Sequence, residues 1–304
     1  MKGLIHEIKK NRSLFILLAP AVIVVFVINY IPIGGIVLAF KKFRYDLGIF
    51  GSPWVGFDNF RFFFMSGTGL NVTLNTMSYN VVNLISCHLL AIILAIFISE
   101  TRNIFFKKIT QSAIFLPYFI SWVIVGMLAF NIFNYEFGIM NNILKSLGLE
   151  PYNIYGDPPV WRAIIPVFNA WKWVGYNSVI YIAAIAGVDQ ECYESAQIDG
   201  ANILQKNIYI TIPCISKSII IMVLLNVGRI LRGDFQMFYQ LIGQNGQLFR
   251  TTDVIDTFVF RALVSGSDLS MSAAATFYQS ILCFIIIVSV NSVVRRIDKD
   301  SALF

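Results

Sequence analysis

The chain has 304 residues, enough by length for two soluble domains, yet 57% are hydrophobic and only 13% charged. Soluble domains run nearer one half apolar and about a quarter charged, and disordered chains are poor in aromatics, so both classes are excluded and lipid is left as the main solvent. The net charge of +6 does not argue for nucleic acid, because the basic residues mostly flank apolar runs, as they do in membrane proteins.

The first run, 14–40, holds no charged side chain. As a helix it is about 40 Å long against about 30 Å of hydrocarbon. It is too long for a cleaved signal peptide and ends in Phe40-Lys41-Lys42, so it reads as a retained span. A second span is expected at 73–99, where His88 is the one basic or acidic side chain, and a charge-free third at 109–135, with Pro117 near its start. A fourth, 160–188, carries Lys172; a fifth, 212–241, carries Lys217, Arg229, Arg232 and Asp234. The sixth, 270–294, is closed by Arg295-Arg296.

The expected fold is therefore an all-α integral membrane protein of six transmembrane helices with both termini cytoplasmic. Residues 1–13 form an inner segment, 14–295 the span domain and 296–304 an inner tail. With the N-terminus inside, Lys and Arg near the span ends number twelve inside and eight outside, although Lys41, Lys42 and Arg44 oppose the bias. Cys87, Cys192, Cys214 and Cys283 match no zinc or redox spacing and read as packing residues. His6 and His88 are far apart, and no phosphate-binding Gly-x4-Gly-Lys-Ser/Thr loop occurs. The expectation is a chain that is no enzyme and holds neither metal nor cofactor.

The segment 189–213 is short and polar. Asp189 suits a helix N-cap with Glu191 near the positive end of the dipole, and Gly200 permits a sharp turn. Asn202 caps a second short helix at about 203–210, and Pro213 suits the first turn of span five. The prediction is two short cytoplasmic helices joined at a glycine. Glu194-Ser195-Ala196, then Gly200 and then Ile210-Thr211-Ile212-Pro213 resemble the EAA loop of ABC importer permeases, with Ser195 for Ala and Ile212 for Leu as departures. Other stretches agree: Phe15 to Pro20, Gly51 to Phe60, Phe115 to Trp122, Gly148 to Pro151 and Tyr181 to Ile185. Together they resemble the oligosaccharide/polysaccharide subgroup of sugar ABC permeases over nearly the whole length.

That resemblance implies a heteromeric importer in the bacterial cell membrane. It implies a second homologous permease, two ATP-binding subunits that hold ATP and Mg and do the hydrolysis, and an extracellular solute-binding lipoprotein. It assigns ATPase coupling to Glu194, Ser195, Ala196, Asp199, Gly200, Ile210 and Pro213. A short rigid element fixed to two spans can carry the partner's motion as one body.

Charges within spans cost about 2.5–3.5 kcal/mol each on insertion scales, which makes them functional candidates. Trp122, Trp171, Lys172, Tyr176, Asn226, Arg229, Arg232 and Asp234 are the candidate substrate pathway, with Arg229 and Arg232 three apart on one helical face. The resemblance implies neutral residues where Lys172, Arg229 and Arg232 stand, so three cations point to a carboxylate-bearing sugar. The competing reading has Lys172 snorkelling to the outer interface and Arg232 pairing with Asp234. The aromatics either stack on sugar rings or belong to interfacial belts. His88 reads as a hydrogen-bonded packing residue. Other solutes (osmolytes, amino acids or peptides) fit the same architecture. A secondary transporter is disfavoured by the lack of an internal repeat and of carboxylates in spans one to four.

Overall fold

The computed structural model describes residues 10–65, 67–265, 268–297 and 302. The expected inner segment 1–13 and tail 296–304, with Lys2, Lys9 and Lys299, lie mostly outside the described residues.

Among the described residues there is no strand, only an isolated bridge between Lys41 and Trp54. Helix α1 (Arg12–Phe40) changes winding along its length: α-helical to Val25, a π turn at Phe26–Tyr30, then 3-10 from Ile31. Pro32, which lacks an N–H, sits where the winding changes. Ala39 is its only buried residue. After α2 (Asp58–Met65), α3 (Thr68–Glu100) buries Val72, Thr76, Asn83, Cys87, Ala91, Ala95 and Ile98, a stripe at helical spacing.

The run 109–135, expected as one span, is two helices. They are α4 (Ile104–Phe119) and α5 (Trp122–Phe133), bent by 93°. Pro117 leaves the last turn of α4 one donor short, Ile120 is extended, and the Ser121 hydroxyl accepts from the Ile124 amide to start α5. The chain continues through α6 (Ile139–Ser146), α7 (Trp161–Ala186), α8 (Gln190–Ile198), α9 (Ile203–Val227), α10 (Phe235–Ile242), α11 (Ile255–Val264) and α12 (Leu269–Ile297).

Among the described residues α1, α3, α9 and α12 are long and apolar enough to cross a membrane, and the bent pair α4–α5 adds a fifth if it counts as one span. Helix α7 has 26 residues but carries Arg162, Asn169, Lys172 and Asn177, which keeps it off that list. Span five also departs from expectation. Its helix ends at Val227, and residues 228–234 are turn and irregular backbone. Arg229 and Arg232 therefore share a turn, not a helical face, with the Arg232 amide bonded to the Arg229 carbonyl at 2.8 Å. The apolar run disguised this break because nothing local to it marks a stop except Gly228 and Gly233.

Lipid tails do not drive helices together, so packing rests on close backbone approach at small residues. One core cluster joins α5, α7 and α10 around Trp122, Trp161, Ile165 and Phe238. A second joins α3, α7 and α9 around Ala91, Ala95, Tyr181 and Ile215. A third, with Phe63, Val72, Ile255 and Ala275, ties α2, α3, α11 and α12. Along α3, Tyr79 belongs to the first cluster and Ala91 to the second. The residues between them are left to line a space.

Candidate functional site

That space is a cavity of about 650 Å³ walled by α3, α7, the end of α4 and the break 228–234. Its surfaces are of three kinds. Asn80, Asn83, Asn177 and Asn226 supply amides. Tyr118, Trp173 and Tyr176 supply rings: Tyr118 and Tyr176 stack at 4.6 Å, and Trp173 stands edge-on to both. Arg229, Arg232 and Asp234 supply charge. Amides bond hydroxyls in either direction, ring faces take apolar ring surfaces, and guanidinium groups take carboxylates through two parallel bonds.

The irregular backbone of the break is satisfied by other helices, as buried peptide groups must be. Asn80 of α3 donates to the carbonyls of Ile230 (2.8 Å) and Arg232 (3.0 Å). Gln279 of α12 donates to the Leu231 carbonyl at 2.6 Å, and Asp256 of α11 accepts from the Gly233 amide at 2.6 Å. Burial pushes the Asp256 carboxyl above the ordinary range, while its bonds to Gly233 and Gln279 and the Arg232 charge pull it down. Asp234 caps α10 by accepting from the Met237 amide. Nearby, Asn226 donates to His88 Nε2 at 3.2 Å, so Nδ1 carries the proton and donates to the Tyr181 hydroxyl at 2.7 Å. His88 is a bonded packing residue between α3, α7 and α9.

Of the eight pathway candidates, Tyr176, Asn226, Arg229, Arg232 and Asp234 meet in the cavity wall. Trp122, Trp171 and Lys172 do not. Lys172 is 6% exposed, so it does not snorkel. Its Nζ donates to the carbonyls of Pro117, Tyr118 and Ile120 and lies 5.2 Å from the Trp122 ring centroid. Among the described residues the ion pairs are Arg44–Asp46 and Arg261–Asp253, so Arg232 does not pair with Asp234, whose carboxylate takes the Trp122 indole N–H at 2.9 Å. The sequence reading missed Tyr118 and the amides Asn80, Asn83, Asn169 and Asn177. Part of their signal was available: Asn80 and Asn83 are three apart, on one face of α3.

The second site is the loop 189–213. Asp189 accepts from the Glu191 amide to start α8. Gly200, at φ +77°, ends it, with the Ala201 amide on the Ala196 carbonyl (2.9 Å) and the Gly200 amide on the Gln197 carbonyl (3.2 Å). The Ala196-to-Gly200 spacing is thus the spacing of one helix cap. Asn202 and Gln205 cap each other reciprocally and start α9. The expected short helix 203–210 does not end before span five. It runs on into it through a π turn at Asn207–Thr211, placed just ahead of Pro213, whose ring has no N–H to give. Tyr193 donates to Thr211 and Thr211 to Asn207, whose amide reaches Glu100 at the end of α3. Ala196, Asp199, Gly200 and Ile210 line an open groove of about 420 Å³, with Glu194, Ser195 and Pro213 exposed close by in sequence. Ile198 is 87% exposed, Leu204 68% and Tyr209 76%. Exposed apolar side chains on a polar loop are a feature of surfaces that contact protein or membrane.

Residues 88–299, which include this loop and the cavity wall apart from its α3 residues 80–87, match the family described as "Binding-protein-dependent transport system inner membrane component". The chain belongs to that family and is a permease of the ABC import class. It is similar to Protein LplB of Bacillus subtilis (strain 168), 30% identical over 96% of this chain and 92% of that one. It is also similar to the polygalacturonan/rhamnogalacturonan transport system permease protein YteP of the same strain, at 29% over 98% and 92%. Among solved structures it is similar to a chain of a bacterial ABC transporter involved in the import of the acidic polysaccharide alginate. The identity is 31% and the TM-score 0.88, over 97% of this chain and 99% of that one.

Proposed function

We propose that the chain is the permease of an ATP-driven importer of oligosaccharides that carry carboxylates. The observation that carries the reading is a cavity wall that holds Arg229 and Arg232 together with stacked rings and amides. A uronate unit offers the matching chemistry: a ring face, hydroxyls and one negative charge. Relatives named for polygalacturonan and alginate support the same class.

The assembly we infer has six spans: α1, α3, the bent pair α4–α5, α7, α9 and α12, with both termini cytoplasmic. Helix α7 serves as a span because the end of α4 takes Lys172 and Cys87 of α3 takes Asn177. A second permease, two ATPase subunits holding ATP and Mg, and an extracellular binding lipoprotein complete the importer in a bacterial cell membrane. The ATPase seats on the groove at Ala196, Asp199, Gly200 and Ile210, with Glu194 at its rim. Because α9 is continuous with the loop, the partner's movement reaches the break 228–234 along one helix.

Uptake of oligogalacturonate and of its carboxyl-reduced, neutral counterpart tests the cargo. A hydrogen bond to a charged group contributes about 1.5–3 kcal/mol, so replacing both Arg229→Gln and Arg232→Gln should lower uptake of the acidic sugar by at least about tenfold. Uptake of the neutral sugar should stay within about twofold. Equal uptake of both sugars before and after the change would remove the carboxylate from the proposal.

A further inference from the structure

We infer that Lys172 is a positioning residue that locks the two broken helices bordering the cavity into one body, and that it does not touch cargo. The inference rests on the proposed transport path through the cavity. Sequence reasoning put this lysine among cargo contacts; the geometry gives it a different task. Helix α4 stops at Phe119, and around that end Lys172 donates to the carbonyls of Pro117, Tyr118 and Ile120, the first of which also accepts the Ile120 amide. A cation at the negative end of a helix dipole is a stable arrangement. The same ammonium lies over the ring of Trp122, the first residue of α5. Trp122 then gives its indole N–H to Asp234, the residue that caps α10 beyond the break in span five.

One side chain of α7 therefore joins the end of α4 to the start of α5, and through Trp122 to the start of α10. Both linked breaks contribute to the wall, Tyr118 at one and Asp234 at the other. A change at either break reshapes the cavity, and the link makes both breaks change together. A neutral amide at position 172 cannot satisfy three carbonyls and a ring face at once.

Amide hydrogen exchange on the assembled transporter, with uptake measured alongside, tests this. Lys172→Gln should speed exchange by about tenfold at 118–124 and also at 235–238, with α3 unchanged. Lys172→Arg should restore it, since a guanidinium also bonds carbonyls and stacks on indole. Trp122→Phe keeps a ring for the cation but removes the N–H, so exchange should rise at 235–238 alone. This variant also decides the matter if Lys172→Gln does not assemble. Uptake of oligogalacturonate and of its carboxyl-reduced counterpart should fall by the same factor in Lys172→Gln. A loss confined to the acidic sugar would assign Lys172 to the cargo, and unchanged exchange at 235–238 in both variants would break the link; either result overturns the inference. If the wild-type transporter moves neither sugar, the cargo proposal fails while the exchange data still judge Lys172.

Discussion

Replacing Gly175 with alanine is expected to cut the amount of folded protein in the membrane several-fold, more than any other single methyl group. A Cβ at position 175 would lie 1.8 Å from the Ile114 carbonyl oxygen and 2.5 Å from its carbon. Ordinary contact begins near 3.4 Å, and the obstacle is backbone, so no rotamer change relieves it. Helices α4 and α7 must move apart by more than 1 Å. Overpacking of this kind costs about 1–3 kcal/mol, and a backbone obstacle puts it at or above the upper end. The displacement also pulls the end of α4 away from Lys172, three residues before Gly175 on α7, and so reaches the cavity wall. Gly34→Ala in α1 is the control, since nothing lies within 4 Å of the added methyl. Thermal melting of the purified chain, with membrane yield, should separate the two; a Gly175→Ala protein as stable as the control would mean the helices do not approach this closely.

What the sequence could yield divides along a physical line. Apolar runs at 14–40, 73–99 and 270–294 became α1, α3 and α12, because an unbroken hydrophobic stretch needs no partner to be helical in lipid. The loop at 189–213 was legible for a different reason. Capping is local, and Asp189, Gly200 and Asn202 each act within four residues of themselves. The two breaks were not legible. The one at Ile120 depends on Lys172, about fifty positions away, to take its carbonyls, and the one at 228–234 depends on Asn80, Asp256 and Gln279. A charge in an apolar run shows that something must pair with it but not whether the partner is cargo or protein. So Arg229 and Lys172 looked alike in sequence, yet the fold puts one in the cavity wall and the other on a helix end.

The rank order of substitutions at Gly200 gives the largest functional effect expected of the loop. Gly200 has φ +77°, and a Cβ there meets nothing within 4 Å of this chain. Its requirement is therefore conformational. A residue with a Cβ costs about 1–2 kcal/mol in the left-handed region, asparagine less than alanine, and a β-branched side chain most. The cap that fixes the angle between α8 and α9 should then lose population by about 5–30-fold for alanine. ATP-dependent uptake should fall in the order Gly, Asn, Ala, Val while the amount of chain in the membrane stays level, since no core packing changes. Helix α8 would still be tied to α9 through Tyr193 and Thr211, so the defect is one of angle and not of detachment. If asparagine abolishes uptake as fully as valine, the left-handed turn is not what transport needs from Gly200. The proposed ATPase contact would then account for the need for a bare Cα.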